Sequence, residues 1–391
     1  PRGSGRNAVS RAGAIRSTSP SLRPPCRRLA LPDRQVLSLV TFRRTPAQPF
    51  RQCAAVNTPV EITLDRPQRV TLISNPDSGR NRRGGHEIRR LLKSYPKVCH
   101  REARDPAQVA AALEELAPEQ PDLLVVNGGD GTVQAVLSVM FGQRPFARPP
   151  RLALLRGGTT NMNADDVGLK GSAAQALRRV LSLSESIGAS AQIVRRPILR
   201  LEVSTSDAPR YGMFFGTGAI VKGIEYCHRK VHTKGFRDGI APGICTLRLL
   251  LALARGDSPY VAPLPMKIAR KPEDGHDQAP ARQQDYLLLL ASSLERLFLG
   301  LRPYWGEERG AFYFSCIRAQ PEHLWRVLPG LFWGRPGPDA TPETGYYSAK
   351  LDELRLDMDG PVTLDGEIYH AAGDRGPVRV SLGGWASFLR R

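Results

Sequence analysis

The sequence has no run of roughly 18 apolar residues, so no segment is long enough to cross a bilayer as a helix. It also has no Cys-x-x-Cys pair, and its six cysteines are far apart in a chain of 391 residues. They stand at Cys26, Cys53, Cys99, Cys227, Cys245 and Cys316. This spacing is typical of free thiols and argues against a disulfide framework. We therefore expect a cytoplasmic protein whose contact with any membrane is peripheral.

Acidic residues are scarce at the start of the sequence. Residues 1–60 hold eleven arginines and one acid, Asp33, and so carry ten of the nineteen net positive charges. Because this composition cannot bury much apolar surface, we predict a disordered basic extension over 1–65. A membrane-attracted arm, a transit-like extension and an artefact of the assumed translation start all remain open for it. The mildly basic remainder favours an anionic membrane surface or a polyphosphate, and we expect no nucleic-acid partner.

One stretch, residues 123–137, organises the rest of the chain. Four apolar residues before Asn127 predict a buried strand, and the apolar spacing after Thr132 predicts a helix. The join is Gly-Gly-Asp-Gly-Thr, whose glycines allow a ligand to approach the backbone closely at a helix N-terminus. This geometry suits a nucleotide phosphate. Asp130 within it indicates a bridging magnesium ion or proton chemistry, although a turn needed only for packing is the alternative.

Further elements around this stretch follow a doubly wound α/β pattern. We predict strands over 69–73, 97–100 and 152–155, with helices over 86–93, 106–116, 131–141 and 172–183. Ligands of such folds bind beyond the carboxyl ends of the strands, where the turns after Ser74, Val126 and Leu155 lie. Residues 66–195 are therefore predicted to be an α/β domain that binds a nucleotide phosphate.

From residue 196 to 391 the pattern changes to short alternating strands, which predict a mainly-β, sandwich-like domain. The predicted strands cover 198–203, 211–215, 265–269, 286–291, 310–317, 350–358, 362–364, 367–370 and 378–381. A strong helix is predicted over 244–254, which suits core packing or an acyl-chain groove better than a membrane anchor. An exposed loop is predicted over 271–282.

Four motifs in this order resemble the diacylglycerol kinase and sphingosine kinase superfamily of lipid kinases, especially its soluble bacterial members. They are Asn-Pro-x-Ser-Gly (Asn75, Pro76, Ser78, Gly79), Gly-Gly-Asp-Gly-Thr (Gly128 to Thr132), Gly-Thr-x-Asn (Gly158, Thr159, Asn161) and Leu-Asp-Gly-Glu (Leu364 to Glu367). The resemblance covers residues 69 to about 385. NAD kinases share the surroundings of Gly-Gly-Asp but lack the late Asp-Gly-Glu and this form of Asn-Pro-x-Ser-Gly.

The resemblance implies an ATP site on the N-terminal domain and a lipid that enters from the β-rich domain. The implied nucleotide-binding residues are Asn75, Ser78, Gly79, Gly128, Gly129, Asp130, Gly131, Thr132, Gly158, Thr159 and Asn161. Glu367, or the neighbouring Asp365, would accept the proton of the lipid hydroxyl. Asp130 would hold magnesium through the phosphates. The implied reaction transfers the γ-phosphate of ATP to a diacylglycerol-like or sphingoid lipid at an anionic membrane surface.

The chain departs from the family pattern at several places. Met162 stands where the family usually has Asp after Gly-Thr-x-Asn, which removes a carboxylate from the polar network behind the phosphates. Residues 101–106 contain no clear match to a nucleotide-contacting Thr, and 215–218 lack the usual Asn. The acidic loop that holds a structural magnesium in some bacterial members is also missing.

Several alternatives stay open at this stage. The enzyme could instead act on a soluble substrate such as NAD, or be an inactive nucleotide- or lipid-binding relative. Asp365-Gly366 also fits a two-residue hairpin turn that presents its carboxylate to the cleft. Cys227, His228 and His232 suit a helix surface better than a zinc site. The arginines at 80, 82 and 83 suit contact with nucleotide or anionic lipid better than a solvated charge run, and a homodimer remains open.

Overall fold

The structure is a computed structural model that describes residues 59–206, 208–234, 262–271 and 283–390. Among the predicted features, the extension up to residue 58, the helix over 244–254 and the loop over 272–282 lie outside the described residues. The side chains of Cys227, His228 and His232 do so as well. All described residues belong to one compact unit, Gln52–Arg391. The predicted domain boundary at residues 195 and 196 remains a prediction.

The N-terminal part alternates strands and helices, as predicted. Its strands are β1 (Val60–Thr63), β2 (Val70–Ser74), β3 (Cys99–Glu102), β4 (Leu123–Gly128) and β5 (Arg151–Arg156). Its helices are α1 (Asn81–Leu92), α2 (Pro106–Leu116), α3 (Asp130–Ser138), α4 (Met162–Val167) and α5 (Ala173–Glu185). Strands β3, β2, β4 and β5 lie side by side in this order, and every pair is parallel.

Both faces of this parallel sheet are covered by helices. Along β4, Leu124 and Val126 pack with α2, α3 and α4, whereas Leu123 and Val125 pack with α1 and α5. Alternate side chains of a strand point to opposite faces, so a strand between two helical layers must be apolar at every position. The continuous apolar run before Asn127 has this cause.

The C-terminal part consists mostly of strands, also as predicted. They are β6 (Ser190–Glu202), β7 (Arg210–Gly212), β8 (Phe214–Gly218), β9 (Leu264–Lys271), β10 (Gln284–Ser292), β11 (Phe312–Arg318), β12 (Tyr346–Leu351), β13 (Glu353–Met358), β14 (Gly360–Leu364), β15 (Glu367–Ala371) and β16 (Val378–Arg390). Two helices accompany them, α6 (Ala219–Lys234) and α7 (Leu324–Phe332). Most of the strands contribute alternate side chains to one apolar core.

Strand β16 joins the two parts into one continuous sheet. It pairs in parallel with β5 at Phe388 and Leu152, and antiparallel with β6 along almost its whole length. It also pairs with β13, which leads on to the remaining C-terminal strands. The sheet therefore runs without interruption from the predicted nucleotide edge to the β15 hairpin.

Several predicted boundaries differ from the structure. Helix α1 begins at Asn81, five residues before the predicted start, and β6 begins at Ser190 rather than at residue 198. The single strands predicted over 211–215 and 350–358 are each two strands. Helices α6 and α7 were not predicted. In contrast, α2 spans the predicted residues, with the Asp105 side chain accepting the backbone N–H of Gln108 at its start.

A buried ion network connects the two parts near α4. Arg196 on β6 is completely buried and lies 3.4 Å from Asp166 on α4 and 3.1 Å from Glu295 after β10. Asp166 also accepts the backbone N–H of Glu295. Burial raises the pKa of Asp166, and the guanidinium of Arg196 opposes this shift. Because an unpaired buried charge is costly, these contacts hold α4 against the β-rich part.

Candidate active site

Three polar turns meet at one edge of the parallel sheet. They follow β2, β4 and β5, which are neighbours, so their carboxyl ends lie side by side. The second and third turns touch through their backbones, because a Cβ on Gly158 would collide with the Cα of Gly129. A Cβ on Gly79 in the first turn would likewise collide with the Thr159 hydroxyl. Glycine is needed here for close approach of the turns to one another.

Hydrogen bonds from side chains join the first turn to the second. The Ser78 hydroxyl accepts the backbone N–H of Gly129 at 3.3 Å, and the Asn75 amide donates to the Thr132 hydroxyl at 3.2 Å. Buried Asn81 donates to the backbone carbonyls of Asn75, at 2.7 Å, and of Asn127, at 3.0 Å. The predicted residues Asn75, Ser78 and Thr132 are thus brought together, with the unpredicted Asn81 beneath them.

Asp130, the first residue of α3, holds the third turn in place. Its two carboxylate oxygens accept the backbone N–H groups of Met162, at 3.0 Å, and Asn163, at 2.9 Å. These are the first residues of α4, so Asp130 acts as a cap for a helix far away in sequence. Burial raises the pKa of Asp130 to about 6 against the effect of these hydrogen bonds. The carboxylate has a structural task besides any contact with magnesium or phosphate.

Asn161 closes the third turn upon itself. It has a left-handed backbone, with φ of 54°, and its side chain accepts the N–H and donates to the carbonyl of Gly158, both at 2.7 Å. The side chain is buried, with both polar ends used by the turn. The structure therefore places Asn161 as a residue that shapes the turn next to Thr159.

Asp365 and Gly366 form the tight turn between β14 and β15. Both have positive φ, 49° and 94°, as a two-residue hairpin with this favoured pair requires. The Asp365 carboxylate accepts the backbone N–H groups of Met213, at 3.0 Å, and Phe214, at 2.9 Å. Burial and the nearby charge of Asp130 raise the pKa of Asp365 to about 8. The carboxyl thus fastens the hairpin to β8 beside Asp130.

The stability of the fold is expected to fall as the pH rises through 8. In an unfolded chain Asp titrates near pH 4, so the folded state binds the Asp365 proton more tightly. Proton binding by Asp365 stabilises the folded state in full below about pH 4. This contribution is lost as the pH rises through the folded pKa of about 8, so the free energy of unfolding falls by at least ~1 kcal/mol. Urea unfolding at pH 5, 7 and 9 measures it. Asp365→Asn should flatten the dependence, and an unchanged slope would contradict this prediction.

Glu367, at the other end of the same hairpin turn, reaches the Gly-Gly-Asp-Gly-Thr turn. Its Oε1 lies 2.6 Å from the place that a Cβ on Gly131 would occupy. The β14–β15 hairpin also contacts α3 through a hydrogen bond, because the Gln134 side chain donates to the Tyr369 hydroxyl at 2.7 Å. Glu367 is itself exposed to solvent. Glu367 thus lies against the turn that contains Asp130.

A polar cleft of about 200 Å³ opens beside the N-terminal end of α1. Its lining is rich in basic side chains and includes Ser74, Pro76, Asn81, Arg82, Arg83, Gly85, His86, Ile88, Arg89, His100, Glu102 and Asn127. Two buried lining atoms, Nε2 of His100 and Oδ1 of Asn127, find no hydrogen-bond partner among the described residues. Burial lowers the pKa of His100. The cleft suits an anionic ligand with further polar groups.

Comparison with known proteins agrees with this arrangement. The family model of the diacylglycerol kinase catalytic domain matches residues 69–189, which contain all three turns. Residues 69–189 are thus similar to the catalytic domain of diacylglycerol kinases. No curated protein matches its sequence.

Solved structures share the fold of this chain. A crystal structure of a diacylglycerol kinase from Bacillus anthracis str. Sterne gives a TM-score of 0.52 at 16% identity, over 83% of this chain and 97% of that one. Two more structures from the same strain give TM-scores of 0.54 and 0.53, at 17% and 16% identity. Each covers 83% of this chain and 98% of its own. The similarity spans both the α/β and the β-rich parts.

The described residues hold no group of three or more His, Cys, Asp or Glu side chains that could bind a metal ion alone. Among the described helices, none has the length and apolarity needed to cross a membrane.

Proposed function

We propose that this chain transfers the γ-phosphate of ATP to a hydroxyl group of a diacylglycerol-like or sphingoid lipid. The observation that carries the proposal is the position of the Glu367 carboxylate against Gly131, the residue that follows Asp130 in the sequence. Phosphoryl transfer needs a bound triphosphate, neutralised charge and a base for the attacking hydroxyl. The sheet edge brings residues for each of these tasks into one place.

The three turns bind and orient ATP in this proposal. The hydroxyls of Ser78, Thr132 and Thr159 lie on contacting turns, and the N-terminus of α3 favours an anion. Asn75 and the glycines at 79, 129 and 131 lie on the same turns, where the missing Cβ atoms let Thr159, Gly158 and Glu367 approach closely. Gly128, Gly158 and Asn161 shape the turns from below, since their contacts are with the turns themselves. The arginine-rich cleft beside α1 adds positive charge.

Asp130 is the residue proposed to hold magnesium. Magnesium in kinases is usually bound by one or two carboxylates and by substrate phosphates, so one carboxylate at the edge of the turns fits this donor set. Each oxygen of Asp130 accepts one backbone N–H and keeps a second lone pair. When bound, magnesium neutralises the charge that develops on the transferred phosphoryl group.

Glu367 is proposed to accept the proton of the lipid hydroxyl. Its carboxylate extends over Gly131 and is exposed to solvent, whereas the Asp365 side chain is buried against the backbone of Met213 and Phe214. Asp365 therefore positions the hairpin, and Glu367 is free to face the substrate. A general base within reach of the attacking hydroxyl contributes on the order of 10²–10⁴ to the rate.

The proposed reaction is tested with labelled ATP and magnesium. We expect label to pass to diacylglycerol or sphingosine, giving a product that migrates as a phospholipid, at a membrane surface to which the protein binds peripherally. NAD is included as a soluble acceptor. Label found only on NAD, or hydrolysis of ATP without any acceptor, would contradict the lipid kinase proposal.

A further inference from the structure

Helix α7 carries an exposed apolar stripe on the β-rich part of the molecule. Trp325 and Trp333 are 60% and 66% exposed, and exposed Pro329 lies between them. The three residues follow one another at intervals of four, so they share one side of the helix and its C-terminal cap. Large apolar side chains in an exposed row indicate an interaction surface.

The helix that carries the stripe is held in place by packing. The opposite side of α7 is buried, where Val327 and Leu331 pack against Ala219, Ile317 and Tyr346. At the end of the helix, the backbone N–H of Arg302 donates to the carbonyl of Phe332 at 2.7 Å. The tryptophans therefore belong to a well-packed helix, and their side chains are exposed to solvent.

A second exposed apolar side chain lies close to this end of α7. Leu299 is 60% exposed and belongs to the short turn Phe298–Gly300, where its φ is 60°. Leu with a positive φ is uncommon, since a side chain in this region meets its own backbone. The contact between Arg302 and Phe332 brings this turn to the end of the stripe.

Arginines lie in the two segments that carry these apolar side chains, and the nearest acids in the sequence are Glu295, Glu322 and Asp339. The segment 324–338 contains Arg326 and Arg335 and no acidic residue, and 296–302 contains Arg296 and Arg302 and again no acid. Both Arg326 and Arg335 are exposed. Tryptophan with flanking arginine is the composition of surfaces that insert shallowly between lipid headgroups and attract anionic lipids.

We propose that Trp325, Trp333 and Leu299, with Arg302, Arg326 and Arg335 around them, form a docking surface for an anionic lipid bilayer. The inference rests on the proposed function in one respect, because a kinase for lipids must reach the bilayer that contains them. The surface lies on the β-rich part, which also supplies Glu367. The tryptophan rings enter the headgroup region, and the arginines contact lipid phosphates.

The test measures binding to vesicles of phosphatidylcholine with phosphatidylserine, and to phosphatidylcholine alone. We expect the full chain to bind the anionic vesicles, and Trp325→Ala with Trp333→Ala to lower the partition coefficient by about 10-fold per tryptophan. Arg326→Glu with Arg335→Glu should lower binding by at least about fivefold per arginine, and only to anionic vesicles. Matched controls are Ile187→Ala, 71% exposed on the α/β part, and exposed Arg148→Glu.

A measurement on the wild-type chain keeps the test decisive even if a variant misfolds. Brominated lipid should quench the tryptophan fluorescence of the wild type on binding. Vesicle binding that is unchanged in the double tryptophan variant, or no quenching, would overturn the proposal. So would a change in oligomeric state with unchanged vesicle binding, which would make the stripe a contact between copies of the chain.

Kinase assays separate this inference from the proposed function. With short-chain diacylglycerol dissolved as monomers, the double tryptophan variant should keep the wild-type rate, whereas on vesicles it should lose about as much rate as binding. If the wild-type chain phosphorylates no lipid and the double tryptophan variant still loses vesicle binding, the docking surface is supported and the lipid kinase proposal is contradicted. Equal loss of rate on monomers and vesicles would overturn the docking role.

Discussion

Replacing Glu367 with Gln is expected to lower kcat for lipid phosphorylation by about 10²–10⁴-fold, since the amide cannot accept the proton of the hydroxyl. The side chain is exposed and the substitution nearly isosteric, so the thermal unfolding temperature should stay within a few degrees of the wild type. The KM for ATP should change by less than about threefold, because the loss lies in the transition state. Initial rates over a range of ATP and lipid concentrations provide both constants.

The control for this prediction is Glu114→Gln, which removes the same charge from the exposed side of α2. It should leave kcat unchanged. A variant that retains a third or more of the wild-type kcat would show that Glu367 is not the base, and Asp365 would then be the next carboxylate to examine.

Replacing Gly158 with Ala is expected to disrupt the site through its backbone. The new methyl group would collide with the Cα of Gly129 and would lie 3.2 Å from the side-chain oxygen of Asn161. Neither backbone has space to withdraw, so we expect a loss of about 2–4 kcal/mol in the free energy of unfolding. Since the two turns must separate, the affinity for ATP should fall at least about tenfold. Urea unfolding and calorimetric titration with ATP measure the two effects.

The matched control is Gly84→Ala in the interior of α1. A Cβ there meets no atom within 4 Å, so the alanine removes only the helix penalty of glycine. We expect the control to gain about 0.5–1 kcal/mol of stability with unchanged ATP affinity. Equal stability of the Gly158 variant and the wild type would contradict the contact between the second and third turns.

The order of the α/β elements could be predicted because burial on both faces leaves a strong mark on a sequence. Strand β4 reads as an uninterrupted apolar run, and α2 begins with a cap residue followed by proline. Helix α1 began earlier than predicted, because Asn81 uses its side chain to join two turns. A polar residue with a distant partner gives no local signal.

Of the candidate site, only the motifs could be recognised in the sequence. Gly128 to Thr132 and Glu367 were named from their motifs, but the contact between Glu367 and Gly131 depends on the sheet that β16 continues and on the hairpin, which local patterns do not describe. The capping of α4 by Asp130 was also missed. Its partners, the N–H groups of Met162 and Asn163, belong to the backbone and carry no residue signature. Asn127, directly before Gly128, was the one hint available.

Helix α7 escaped prediction because its sequence contains the features that usually end a helix. Pro329 and Gly330 stand in the middle, yet Leu324, Val327, Leu328 and Leu331 keep the helical spacing. Packing of this apolar side on the β-rich core outweighs the cost of the proline. The exposed tryptophans belong to the side that does not take part in this packing.

The position of β16 has a consequence for biosynthesis. Strand β5 finds its neighbour about 230 residues further along the chain, where Phe388 meets Leu152. Until the ribosome has passed residue 390, the emerging N-terminal part exposes an apolar, unpaired edge that could pair with other nascent chains. The residues paired here are among the most widely separated in the sequence, and such pairings slow folding. The fold is thus completed late, and a chaperone that shields the β5 edge would raise the yield of native protein during translation.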